Sequence, residues 1–367
     1  MSNPRLISFY LPQFYPTKEN DLWWRKGFTE WTNVGNAKPL FKNHYQPRVP
    51  ADLGYYDLRL PEIREQQAKL AKEAGIEGFC YWHYWFAGQR LLEKVFKEVV
   101  ENNTPNFPFS LCWANHSWYQ KTWDPNKPDK LLIKQTYPGK DDYIKHFNEM
   151  LPAFKDTRYI KVNNKLLFGI YDPLDLPDTQ LFMNTWNSLA KEKGLSGFYF
   201  FGFTFSPSKI KTILDLGYDS VVYDNTIYAA KEQNNTLQLL QKIRRKLFKT
   251  PFLISYDDYT KSLLKTYKPQ KDIHPCIIPN FDHSPRSNHR GIIITDNTPQ
   301  KWENLCTKIF KLLEKRDSNE NLVFIKAWNE WGEGNYLEPD LKFGNDYIVK
   351  TKNAYENFIQ KDFTKNT

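Results

Sequence analysis

Eight short apolar or aromatic runs, separated by longer stretches of helical periodicity, most narrow the folds open to this chain. The runs are RLISFYLP (5–12), GFCYWHYW (78–85), FPFSLCWAN (107–115), KLLFGIYD (165–172), SGFYFFGF (196–203), SVVYDN (220–225), PCIIPNFD (275–282) and LVFIKAWNE (322–330). They are rich in β-branched and aromatic residues, and each reads as a parallel strand buried on both faces. Between them, DLRLPEIREQQAKLAKEAG (57–75) places Leu60, Ile63, Gln67, Leu70 and Ala74 on one stripe and stops at Gly75, a helix with a C-terminal cap. Stretches 141–154, 178–194 and 298–315 behave likewise. Strand–helix alternation repeated eight times predicts an α/β fold, a single-domain (β/α)8 TIM barrel over residues 1–360 with a tail at 361–367. An open doubly wound sheet fits less well, because no Gly-rich phosphate turn follows the first run.

Two segments exceed the minimal repeat. Residues 13–56 form a long, aromatic-rich connection after the first strand, and such loops are usually functional. Residues 231–272 insert a Lys/Arg-rich helical pattern before the seventh strand. Its LQLLQKIRRKLFK (237–249) admits contact with an acidic membrane surface, although an ordinary solvated helix face is the reading the sequence favours.

Aromatic residues make up 16% of the 367 positions, with 12 tryptophans. They fill cores, and their flat faces also match the C–H faces of sugar rings. A net charge of +9 favours anionic partners, but no zinc knuckle, RNP motif or Arg-rich tail points to nucleic acid. Cys80, Cys112, Cys276 and Cys306 lie far apart without a CxxC and read as reduced, buried thiols. The start lacks the pattern of a signal peptide, and no apolar run approaches membrane-spanning length. A cytoplasmic protein, with the inner membrane as its one candidate peripheral contact, is expected.

In a barrel of this kind the active site forms where strands hand over to helices. Polar and aromatic residues collect there: Trp82, His83 and Tyr84 after the second strand, Trp113, Asn115 and His116 after the third, Tyr223 and Asp224 at the sixth, Asp282 at the seventh, and Trp328, Asn329, Glu330 and Trp331 at the eighth, with Glu333 just beyond. An arbitrary ExxE is more often a helix cap or an ion pair. At a strand end flanked by tryptophans, Glu330 and Glu333 instead suit the two carboxyl groups most glycosidases use. Gly332 and Gly334 let the backbone bend between and after them. Asp224 and Asp282 fit sugar hydroxyls or internal ion pairs equally well. No HExxH, nucleophile elbow or phosphate loop is present, so neither metal nor cofactor is expected.

With FYLPQFYPTKENDLWWRKGFTEWTNV, GFCYWHYWF, CWAN and WNEWGEGNYLEP in hand, the chain resembles the WbsX-type proteins, a glycoside hydrolase family 99-like group associated with surface-polysaccharide assembly. Family 99 itself is similar in its barrel and in an ExxE pair matching Glu330 and Glu333. The resemblance implies an α-mannosidase-like, retaining cleavage, with Glu330 as base on the substrate 2-hydroxyl and Glu333 as acid. It also implies an oligosaccharide or polysaccharide substrate. A glycosyltransferase of O-antigen assembly, drawing on a nucleotide sugar or a lipid-linked glycan, is the alternative, and a non-catalytic sugar-binding barrel the second. Two departures bear on substrate: His116 stands where such proteins usually have a glutamate, and Phe281 where a tryptophan is common.

Overall fold

The computed structural model describes residues 3–121, 128–233 and 235–365. In it the runs become eight strands: β1 (Arg5–Tyr10), β2 (Gly78–Phe86), β3 (Phe109–Trp113), β4 (Lys165–Ile170), β5 (Phe198–Thr204), β6 (Ser220–Asp224), β7 (Ile273–Ile277) and β8 (Leu322–Ile325). Each pairs in parallel with the next in chain order, and β8 closes on β1 from Arg5↔Leu322 to Ser8↔Ile325. The ring has no free edge. This is a closed (β/α)8 barrel, in which burial on both faces explains why the strands read as near-continuous apolar runs.

Successive side chains alternate between the barrel interior and the helix layer. Inside, Phe9 stacks on Trp82 at 4.5 Å between ring centroids and on Phe324 at 5.5 Å, and Phe324 meets Phe201 at 5.0 Å. Outside, Tyr10 packs against Phe79 and Tyr81. Phe168 meets Trp186 at 4.7 Å.

The barrel helices are α1 (Pro61–Glu73), α2 (Glu93–Glu101), α3 (Lys140–Lys155), α4 (Thr179–Glu192), α5 (Ile210–Asp215), α6 (Tyr256–Thr266), α7 (Pro299–Leu313) and α8 (Asp346–Lys365). Asp178 and Thr298 cap α4 and α7, each accepting from the backbone N–H three residues on. The expected apolar stripe of α1 is only partly right. Leu60 is exposed outside the helix, Ile63 and Leu70 are half-buried, and Arg64, Gln67, Ala68 and Ala71 form the buried face. That face covers a polar network: Gln67 bonds Tyr10 and Glu338, and Arg64 bonds the Leu58 carbonyl and Glu98.

The seventh strand lies earlier than the sequence suggested. Its ladder ends at Ile277, just before Pro279, which has no N–H to offer. Phe281–Asp282 instead pairs antiparallel with Ile292–Thr295, beside which Phe252–Ser255 runs parallel. This side sheet ties the insert before β7 to the loop after it. Between β6 and β7 the chain also carries the helix Thr226–Lys231, leading into the insert, and the helix Asn235–Phe248 within it. The long connection after β1 contributes helices Lys18–Trp23 and Glu30–Asn36. All four cysteines are buried thiols.

Candidate active site

Beyond β8 the chain folds back at once. Asn329–Glu330 pairs antiparallel with Asn335–Tyr336, and a single 3-10 turn, Trp331–Glu333, joins them. Gly334 ends the turn at φ +50°, in the left-handed region that costs other residues more. Gly332 is required for space: a Cβ there would lie 1.9 Å from the Glu30 carboxylate. Trp331 locks the turn from behind, stacked on Tyr336 at 3.7 Å and donating its Nε1–H to Glu338 at 2.6 Å. Glu338 also accepts from Tyr56 and Gln67. Burial pushes its carboxyl up to about 7.

The turn brings Glu330 and Glu333 into one cavity of about 200 Å³ at the C-terminal mouth of the barrel. Trp82, Tyr84, Trp118 and Tyr171 supply aromatic walls, and Leu11, Gln13, Ala114 and His116 line the remainder. Three charged groups complete it: Glu30 from the long connection, Arg286 from the loop after β7, and Lys326 immediately after β8. Arg286 bridges two carboxylates, with Nε 3.2 Å from Glu30 and Nη1 2.6 Å from Glu333. Lys326 Nζ lies 3.3 Å from Glu333 and 3.9 Å from Asp224.

A family model, Glycosyltransferase WbsX, matches residues 6–351. The chain belongs to the WbsX glycosyltransferase family. An uncharacterized protein WxcX of Xanthomonas campestris pv. campestris is 34% identical over 360 residues, 95% of this chain and 49% of its own length; the WxcX protein of a second strain matches equally. This chain therefore spans about half the length of the curated relatives it matches. Among solved structures, a glycoside hydrolase-like protein superposes with a TM-score of 0.64 at 14% identity, covering 97% of this chain and 94% of that one. The family 99 endo-α-mannosidase of Bacteroides thetaiotaomicron superposes at 0.56 and 13% identity, covering 98% and 99%. At these identities the likeness is one of fold.

In this WbsX-family site the two glutamates differ electrostatically. Burial and the charge of Glu333 raise the Glu330 carboxyl, and its Oε2 is buried without a hydrogen-bond partner. Burial also opposes ionisation of Glu333, but Lys326, Arg286 and His283 outweigh it and hold that carboxylate charged. Burial likewise disfavours the Lys326 ammonium, and Glu333, Glu330 and Asp224 more than compensate. Opposite shifts on adjacent carboxyls are a signature of acid–base sites. Among the described residues, no group of three or more His, Cys, Asp or Glu is arranged to hold a metal ion.

Of the residues chosen from sequence, Glu330, Glu333, Trp82, Tyr84 and His116 line the cavity. The others do not, and strand parity is the main reason. His83 points out to the helix layer, its Nε2 2.7 Å from that of His146. Trp113 points out as well, donating to the Trp85 carbonyl. Tyr223 bonds Asn225 and Thr266, whereas its neighbour Asp224 faces Lys326. Trp328 packs outside against Phe79, and Trp331 backs the turn. Asp282 belongs to a separate buried knot with His44 and Gln46, each 2.7 Å away, and Arg48.

Asn115 and Asn329 act as clamps. Asn329 accepts from Leu11 N–H at 2.7 Å and donates to Leu11 C=O at 3.0 Å. Asn115 treats Asp172 the same way, at 2.8 and 2.9 Å. Each side-chain amide continues the ladder between neighbouring strands where their backbones part, β8 with β1 and β3 with β4.

Glu30, Arg286, Lys326 and Trp118 line the cavity and were not singled out by sequence reading, whereas Tyr171 stands at the end of the fourth run, where such residues are expected. Lys326 carried a usable signal, a lysine inside an otherwise apolar run, since buried lysines need a partner. Glu30 opens a short helix of the long first connection and Arg286 lies in a one-turn helix after β7, and neither position carried such a signal.

Proposed function

We propose that this chain cleaves an α-linked, mannoside-like glycosidic bond with retention, using Glu330 and Glu333. The observation that carries this reading is the meeting of both carboxyls in one aromatic-walled cavity, where burial and unequal counter-charges set their proton affinities apart. With the Glu330 carboxyl raised and the Glu333 carboxylate held charged, the pair carries one proton between those two limits, the number an acid–base couple needs. In the substrate-free site that proton lies on Glu330. For Glu330 to act as base and Glu333 as acid, as the family resemblance implies, that proton must move from Glu330 to Glu333 once substrate is bound.

The chemistry then balances. Glu330 takes the proton of the 2-hydroxyl, whose oxygen attacks the anomeric carbon, while Glu333 protonates the departing glycosidic oxygen. In the second step Glu333 takes a proton from water, the resulting hydroxide opens the anhydro ring at the anomeric carbon, and Glu330 returns its proton to the 2-oxygen. Two inversions give net retention. Trp82, Tyr84, Trp118 and Tyr171 offer faces for the sugar.

Glycosyl transfer from a nucleotide sugar is the second reading, favoured by the name of the family. A diphosphate needs uncommitted cations. Arg286 and Lys326 are instead engaged by Glu30, Glu333 and Asp224, which supports hydrolysis. Incubating the wild type and Glu333→Gln with α-linked oligosaccharides, with and without nucleotide sugars, decides by mass spectrometry. Shorter glycans from the wild type alone, without a donor, are expected. Longer glycans formed only with a nucleotide sugar would sink the hydrolytic reading.

A further inference from the structure

The helix Asn235–Phe248 is mounted back to front. Its attachment to the body runs through polar side chains on one face. Gln238 donates to the carbonyls of Lys231 and Gln233, Gln241 pairs with both the N–H and the C=O of Leu253, and Arg245 reaches the carbonyls of His289 and Gly291. At 100° per residue these three positions form one stripe, and Leu239, Ile243, Leu247 and Leu240 form the stripe opposite. That outer stripe is in solvent: Leu239 is 58% exposed, Leu240 52%, Ile243 43% and Leu247 66%, with Phe248 near the end at 71%. A helix that only had to cover this domain would be turned the other way, because burying apolar surface is what holds amphipathic helices down.

From this geometry we infer that the helix docks the protein on an anionic lipid bilayer. Exposed Lys242 and Lys246 flank the apolar stripe on one side and Arg244 on the other, the positions from which long cationic side chains reach lipid headgroups while the stripe enters the acyl boundary. Residues 235–249 hold five basic and no acidic residues. A second copy of this chain is the poorer occupant. A two-fold interface through this face would set Lys242, Arg244 and Lys246 against the same cations. Among the described residues no helix is long and apolar enough to cross a membrane, so the contact is one that lies on the surface. The helix is also attached close to the barrel mouth: Gln238 is bonded to Lys231, at the end of the helix Thr226–Lys231, whose Ile227, Tyr228 and Lys231 line a cleft of about 370 Å³ that shares Tyr171 with the candidate active site. The inference stands on the surface alone and holds whichever reaction the site performs.

The test is co-sedimentation of the substrate-free protein with phosphatidylcholine vesicles, plain or containing roughly one-third phosphatidylglycerol, alongside light scattering for oligomeric state. Binding to the anionic vesicles, lost in high salt, is expected. Lys242→Glu with Lys246→Glu should weaken it at least tenfold, since each cation near such a surface contributes about fivefold. Leu247→Ser with Phe248→Ser should weaken it similarly. Both pairs are solvent-exposed, so circular dichroism should match the wild type. No binding by the wild type to anionic vesicles overturns the inference. So does a wild-type dimer that Leu247→Ser with Phe248→Ser makes monomeric while vesicle binding is absent.

Discussion

Arg286 Nη1 lies 2.6 Å from Glu333 Oε1, and the same guanidinium reaches Glu30 through Nε at 3.2 Å. One cation from the loop after β7 thus joins a residue of the long first connection to the turn after β8. Arg286→Met removes it and leaves two carboxyls with one fewer counter-charge. The expected result is a loss of stability of about 3 kcal/mol, the usual scale for breaking a largely buried pair. Glu333 should also titrate upward, seen as a shift of the acidic limb of the activity profile to higher pH. An unchanged profile would show that Arg286 does not set the charge of Glu333.

Replacing the two glutamates should separate chemistry from stability. Both Glu330→Gln and Glu333→Gln should reduce kcat by about 10²- to 10⁴-fold, the range for a lost acid or base. Glu330 rests protonated, so its amide is a near replacement, and urea unfolding should change by less than about 1 kcal/mol. Glu333→Gln removes one of the two carboxylates that each of Arg286 and Lys326 faces and should cost about 3 kcal/mol. Equal costs would contradict the assigned resting proton.

Glu338 offers a pH test outside the proposed catalytic pair. Its folded pKa of about 7 lies above the unfolded value, so the folded state binds more protons between those limits. Its contribution to stability is therefore present at low pH and lost as pH rises toward 7. Buried His83, His146 and His274 are held below their ordinary value and act with the opposite sign, so the comparison must be with a variant. The penalty of Glu338→Gln, measured by urea unfolding, should shrink by up to about 3 kcal/mol between pH 5 and pH 8. A penalty independent of pH would refute the raised carboxyl.

Gly332→Ala tests the close approach of Glu30. The added methyl would meet the Glu30 carboxylate at 1.9 Å, so either Glu30 or the turn must shift. Stability should fall by about 1 to 3 kcal/mol, and kcat by about tenfold or more, as small misplacements of a site do. Wild-type kinetics in this variant would mean that neither Glu30 nor the turn needs its present position.

The eight runs of 5–12 to 322–330 determined the barrel by themselves, because a strand buried on both faces must be apolar throughout and a chain alternating such runs with helices has few ways to close. The clustering of polar residues at run ends likewise pointed to the C-terminal mouth, where the cavity holding the glutamate pair lies. That same double burial hid the parity of each strand. With no polar–apolar alternation to read, Trp82, His83 and Tyr84 looked alike, although only the first and third face the cavity, and Tyr223 stood out where Asp224 faces in. Tertiary structure alone decided that Glu30 and Arg286, 256 residues apart, meet beside Glu333. It also turned the polar face of Asn235–Phe248 inward, since that choice depends on which backbone carbonyls the neighbouring strand and loop leave open to Gln238, Gln241 and Arg245.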